Sequence, residues 1–166
     1  DTGIERIVYH DPDCPVLEKE GVMFRKILFP TDFSEVSRKV TTSVKRLKDA
    51  GTREVVILHV IDSRNLDAML HWSPSEYQEM RRKIEETAEK MASEVAQDLS
   101  NAGLSVKIVI TEGIPSQEIL KAEKTTRVSA IVVGSHGRSN LRDMLLGSVS
   151  EQVIKKSRKP VLVIKR

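Results

Sequence analysis

Five short apolar runs recur along the chain, separated by longer stretches in which apolar residues return every three or four positions. KILFP (26–30) is aliphatic and closed by proline, and EVVILHVI (54–61) is almost continuously apolar. SVKIVIT (105–111) alternates, as a strand nearer an edge would, AIVVG (130–134) is small and β-branched, and PVLVI (160–164) leads into Lys165 and Arg166. Near-continuous Val/Ile/Leu runs are what strands covered on both faces require. Between them, residues 34–50 place Val36, Val40, Val44 and Leu47 on one helical stripe, with Gly51 as the stop. Residues 74–102 carry Tyr77, Met80, Ile84, Met91, Val95 and Leu99 on a second stripe that ends before Gly103. As one rod this helix would be roughly 40 Å long, so its first turns are expected to overhang the sheet or bend. Two shorter helices are predicted over 115–126 and 148–157.

The resulting order, βαβαβαβαβ, predicts a parallel sheet with right-handed crossovers and helices on both faces. Ligands of such sheets bind outside the carboxyl ends of the strands, where the strand order reverses. The segments to examine are therefore Pro30-Thr31-Asp32, Val60-Ile61-Asp62, Gly113-Ile114-Pro115 and Gly134-Ser135-His136-Gly137.

Composition narrows the class without changing this outline. A chain of 166 residues with 39% hydrophobic and 31% charged residues suits one soluble domain, and aromatics at 4% make the core aliphatic. There is no apolar run of membrane-spanning length and no signal-peptide pattern. The single cysteine, Cys14, rules out an intrachain disulfide and fits a reducing cytoplasm. A net charge of +3 is too small to argue for nucleic acid by itself. Residues 1–22 hold charges, Pro12, Pro15 and Gly21 without sustained periodicity. They are set apart as an N-terminal extension, tag or upstream segment, and the domain is placed at 23–166.

The segment VVGSHGRSNLRDMLLGSVSEQV (132–153) can be written G-x2-G-x9-G-S, on Gly134, Gly137, Gly147 and Ser148. Glycines let backbone N–H groups turn toward an anion and approach it closely. Gly147-Ser148 then opens a helix, whose free N–H groups and positive dipole end favour phosphate. Ser148 and Ser150 offer hydroxyls, and Arg138 or Arg142 offers charge. The same letters also spell a structural device: Ser148-Val149-Ser150-Glu151 has the form of a capping box, and Gly134 could simply end a strand. Neither a Walker A string nor a G-x-G-x-x-G fingerprint after the first strand is present. Asp32 is the natural second wall, its carboxylate suited to an adenine amino group or a ribose hydroxyl. Asp32-Phe33-Ser34-Glu35 likewise reads as a capping box. The Val60 end of its strand could offer backbone groups to a base.

With KILFPTDFSE, VVILHVID, EGIPSQEI and IVVGSHGRSNLRDMLLGSVSEQVIKKSRKPVLVIKR in place, the chain resembles the universal stress protein family over about residues 23–166. Within it, the likeness is to the small, single-domain, ATP-binding, archaeal-type members. The resemblance implies a Rossmann-like three-layer α/β/α sandwich on a five-stranded parallel sheet of order 3-2-1-4-5, with the nucleotide between the ends of the first and fourth strands. It implies Pro30, Thr31 and Asp32 at the nucleoside end, the Val60 backbone at adenine, and Val133 and Gly134 near the ribose. Ser135 and His136 belong to the same set, and Gly137, Arg138, Ser139, Asn140, Gly147, Ser148, Val149 and Ser150 surround the phosphates. The implied ligand is ATP, with Mg or Mn if a metal accompanies it. The implied role is that of a nucleotide-dependent regulatory or stress-response module with a protein partner still to be identified. It also implies a homodimer through the last strand, although Lys165 and Arg166 would equally protect a solvated edge.

Rival readings are weaker on the residues. An ATP hydrolase would need His136 as acid or base and Asp143 as a magnesium ligand, and no positioned acid–base pair accompanies them. Lys155, Lys156, Arg158, Lys159, Lys165 and Arg166 form a basic footprint for nucleic acid, but no aromatics interleave to stack bases. His10, Asp11, Asp13 and Cys14 are metal-ligand types in a proline-stiffened leader that favours an extended peptide, so no metal is expected from the protein alone. His59 is read as a core histidine and His71 as loop surface. Leu66, Met69, Leu70 and Trp72 would form part of a lid or dimer contact, or else an apolar loop laid on the core.

Overall fold

The computed structural model describes residues 6–8, 24–67, 73–135 and 146–165. Along the chain these form β1 (Arg6–Val8), β2 (Lys26–Pro30), α1 (Glu35–Arg46), β3 (Glu54–Asp62), α2 (Ser63–Asp67) and α3 (Pro74–Asn101). They continue with β4 (Ser105–Gly113), α4 (Pro115–Thr125), β5 (Ala130–Gly134), α5 (Ser148–Lys156) and β6 (Val161–Ile164). The sheet order is β1-β4-β3-β2-β5-β6. Strands β2 to β6 are mutually parallel, so the five apolar runs take the expected order 3-2-1-4-5. The sixth strand comes from the leader: Arg6–Val8 pairs antiparallel with β4, placing Arg6 opposite Ile110.

The two-residue period of the strands divides the core between two layers. Ile27, Phe29, Val55 and Ile57 belong to one cluster with Val40 and Val44 of α1 and Ala88, Ala92 and Leu99 of α3. Leu28, Val56, Leu58 and Val133 belong to the other, with Ile119 and Ala122 of α4 and Val153 of α5. Both faces of the central strands are thereby covered, which is why β2, β3 and β5 read as near-continuous apolar runs.

Helix boundaries depart from the apolar pattern where caps decide them. The first helix ends at Arg46 rather than near residue 50, because residues 47–50 tighten into turns. Gly51 then takes φ 100°, and the Thr52 N–H donates to the Leu47 carbonyl at 3.0 Å. The long helix α3 forms as a single 28-residue element. Its start is a reciprocal capping box: the Glu76 N–H donates to Ser73 Oγ and the Ser73 N–H to Glu76 Oε2. The hydrogen bond from the Ser73 hydroxyl, with that of its backbone, holds the Glu76 carboxyl below its ordinary range. Only Ala88, Ala92 and Leu99 of α3 are fully buried, all in its second half. Arg81 Nη2 reaches Glu112 Oε2 at 2.9 Å and ties the first half to the end of β4.

Candidate functional site

The strand order reverses between β2 and β5, and a cavity of about 640 Å³ opens at this end of the sheet. That size lies within the range typical of small-molecule sites. Ten sequence-predicted residues line it: Pro30, Thr31, Asp32, Val60, Val133, Gly134, Gly147, Ser148, Val149 and Ser150. Ser135 is buried just behind the lining. His136, Gly137, Arg138, Ser139 and Asn140 lie outside the described residues, as do Arg142 and Asp143 of the hydrolase reading.

One rim is a turn fixed mainly by side chains. Past the end of β2 the Thr31 N–H donates to the Leu58 carbonyl at 2.9 Å, adding one rung to the β2–β3 ladder. The Thr31 carbonyl lies 2.9 Å from Nδ1 of His59, so that nitrogen carries the proton and donates. Phe33 adopts φ 58°, a left-handed conformation that costs a bulky residue about 1–3 kcal/mol. Its N–H donates to Thr31 Oγ1 at 3.1 Å, and its ring stacks on His59 with centroids 4.5 Å apart. Burial of the ring in the α1/α3 core offsets the backbone cost. The reversal presents Asp32, whose Oδ1 accepts from the Ser34 N–H at 3.1 Å and the Ser37 hydroxyl at 2.6 Å. The capping box that is the alternative reading of Asp32 does not form. Ser34 is the N-cap of α1, accepting from the Ser37 N–H, and Asp32 stands two residues ahead of the helix on the cavity wall.

The opposite rim is built from backbone. The Ser135 N–H donates to the Ile164 carbonyl at 2.9 Å, and its own carbonyl accepts from the Gly147 N–H at 2.7 Å. Ser150 Oγ donates to the Gly134 carbonyl at 2.8 Å, clasping the start of α5 to the end of β5. The alternative capping box at Ser148 does not form either. Gly147 is the N-cap with no side-chain cap, Ser148 is already helical, and the Glu151 carboxylate pairs with Lys155. Among the described residues, therefore, no side-chain oxygen caps the first N–H groups of α5 at the place where Gly147, Ser148, Val149 and Ser150 line the cavity. Such a helix end fits a phosphate group.

Between the rims Pro30, Leu58, Val60, Ile119, Val133 and Val149 supply an apolar stretch of lining. Asp62 stands at the cavity edge but is already engaged: Nε of Arg64 donates to it at 2.8 Å. That hydrogen bond, against the opposing effect of burial, keeps its carboxyl below the ordinary range.

The cavity also has walls that strand-end reasoning did not anticipate. His59 is buried, as expected of a core histidine, yet it lines the cavity. Leu66 is buried at 3% exposure on α2, and Met80, Lys83, Ile84, Thr87 and Met91 of α3 complete that side. The stripe carrying Met80, Ile84 and Met91 was visible in the sequence. What it faces depends on where α3 crosses the strand ends.

Other predicted groups resolve separately. His10, Asp11, Asp13 and Cys14, like Met69, Leu70, His71, Trp72 and Arg166, lie outside the described residues. Among the described residues no group of three His, Cys, Asp or Glu side chains could hold a metal ion, and no helix is long and apolar enough to cross a membrane. Lys156, Arg158, Lys159 and Lys165 are exposed, and Lys155 is paired with Glu151.

Known proteins share both the sequence and the fold. The universal stress protein MJ0577 of Methanocaldococcus jannaschii is 43% identical over 158 residues, covering 88% of this chain and 98% of that protein. Its solved structure superposes with a TM-score of 0.79 over 87% of this chain and 98% of its own. The universal stress protein YxiE of Bacillus subtilis is 31% identical over 148 residues, 86% of this chain and all of that protein. A family member from Arabidopsis thaliana, solved with AMP bound, shares the fold at a TM-score of 0.62 and 20% identity, covering 85% of this chain and 91% of its own. Residues 23–165 match the model of the universal stress protein family, and the chain belongs to that family.

Proposed function

We propose that this chain binds an adenine nucleotide, specifically ATP, in the strand-end cavity and acts as a nucleotide-dependent regulatory or stress-response module. The observation that carries the reading is the pairing of unlike rims across an apolar stretch of lining. An uncapped helix start bordered by Gly134 and Gly147 faces the strand ends that present Asp32 and Val60. Anionic phosphates match the first rim, and a nucleoside with donors to offer matches the second. The AMP bound by the Arabidopsis family member supports the same ligand class. Magnesium or manganese would enter with the phosphates, since the described residues offer no cluster of their own for it.

The direct experiment is to denature freshly purified protein and identify any released nucleotide, then to titrate ATP while following the melting temperature. At a free concentration of one hundred times Kd, binding is expected to add about 2.7 kcal/mol of stability. Absence of released nucleotide together with no ATP-dependent stabilisation would contradict the reading.

The same reading includes a homodimer through β6. This strand pairs with β5 on one side, and no other described strand covers its second edge. Its residues, Val161–Ile164, are all only half-buried in the single chain. A two-fold copy would extend the sheet across that edge. Sedimentation should give a dimer, and Leu162→Pro should give a monomer.

A further inference from the structure

His59 has no place in the nucleotide reading so far, yet it touches the residues on either side of Asp32, Thr31 and Phe33. In a parallel ladder, a residue whose N–H bonds to the Leu58 carbonyl would return its own carbonyl to the Val60 N–H. Thr31 makes the first of these bonds, but its carbonyl is taken by Nδ1 of His59 at 2.9 Å. The imidazole thus stands in for the next rung of the sheet. Its face meanwhile stacks on Phe33, the residue held at φ 58° immediately after Asp32.

From this geometry we infer that His59 is a positioning residue for base recognition, an inference that rests on the adenine-nucleotide reading above. Its ring has two effects. By fixing the Thr31 carbonyl and bracing Phe33, it sets the angle at which Asp32 faces the cavity. With that carbonyl turned to the imidazole, no backbone bond joins it to the Val60 N–H, at a strand end that lines the cavity. The outcome is one acceptor and one donor at the nucleoside end. An adenine edge, with an amino donor and a ring-nitrogen acceptor, complements that pair. A hypoxanthine edge, with a carbonyl acceptor and a ring N–H donor, opposes it. The device therefore selects adenine over hypoxanthine through Asp32 and the Val60 N–H.

The test compares dissociation constants for ATP and for inosine triphosphate, with melting temperature recorded for each variant. Wild-type protein is expected to prefer ATP by at least about tenfold. His59→Leu should bring the two affinities within about twofold of each other while leaving inosine triphosphate bound as in the wild type. His59→Asn places an amide N–H at the same distance along the side chain as Nδ1, and it should restore most of the preference. Phe33→Leu keeps apolar bulk without the stacked ring and should lower the preference partway, which preserves the test if His59→Leu does not fold. An equal loss for both nucleotides in His59→Leu would mean that the residue acts through the fold alone, and would overturn the inference while leaving the nucleotide reading intact. So would an unchanged preference in His59→Leu or, where that variant does not fold, in Phe33→Leu. Binding of neither nucleotide by the wild type would remove the nucleotide reading and this inference together.

Discussion

The two rims of the cavity are made in opposite ways. At the β2 end a short turn is held by side chains: Thr31 caps Phe33, Ser37 and Ser34 bind Asp32, and His59 locks the Thr31 carbonyl. At the α5 end the contacts among the described residues are mostly between main-chain groups, and the residue at the helix start is a glycine with no side-chain cap. The first arrangement can discriminate, because each side chain fixes the direction of a donor or acceptor. The second can hold charge, because a helix start offers several N–H groups and a dipole to any anion of suitable size. On the proposed function, the first would be a recognition end and the second an anchoring end.

The comparison can be broken most strongly at the anchoring end. Gly147→Asp supplies the missing cap, since aspartate is among the best N-cap residues, and it puts a carboxylate where a phosphate would sit. The fold should be as stable or more so, while ATP affinity should fall by at least about a hundredfold, some 2.7 kcal/mol. Calorimetric titration beside a thermal melt would show the two quantities moving in opposite directions.

At the recognition end, Phe33→Gly relieves the left-handed backbone but removes a buried ring. Loss of a core phenylalanine costs about 3–5 kcal/mol and the relief returns about 1–3, so a net destabilisation of about 2 kcal/mol is expected in urea unfolding. An unchanged or raised stability would mean that the ring does not hold the turn. Asp32→Ala should weaken ATP by about tenfold, the scale of one charge-assisted hydrogen bond, and should do so less for nucleotides that lack the group it reads. The smallest effect is expected for Ser150→Ala, which unclasps α5 from the Gly134 carbonyl. It should lower stability by about 1 kcal/mol, a fall of about 2–4 °C in Tm.

Much of this was legible in the chain, for reasons that differ from element to element. The strands were readable because β2, β3 and β5 are covered on both faces and so tolerate few polar side chains. The strand-end residues followed from topology, since a reversal between β2 and β5 places Asp32 and Gly134 on one crevice. The two capping boxes that the spacing also allows do not form, because Ser, Asp and Glu at the right spacing describe an opportunity and not a geometry. At Asp32 the left-handed Phe33 moved the helix start two residues on. At Ser148 the glycine before it took the cap position, and Lys155 claimed Glu151. The capping box that does form, at Ser73 and Glu76, lay in a stretch read only for its apolar stripe.

By itself the sequence determined the order of the five parallel strands, the main helices between them and the family, because these depend on periodicity and on local motif spacing; it determined neither β1 nor α2. Only the tertiary structure decided what His59, Leu66, Met80 and Met91 face, because an apolar or buried side chain looks the same in sequence whether it meets core or cavity. It also decided that the α5 start carries no side-chain cap, since that choice is made by backbone bonds from Ser135 and Gly147, residues twelve positions apart that meet only in the folded chain.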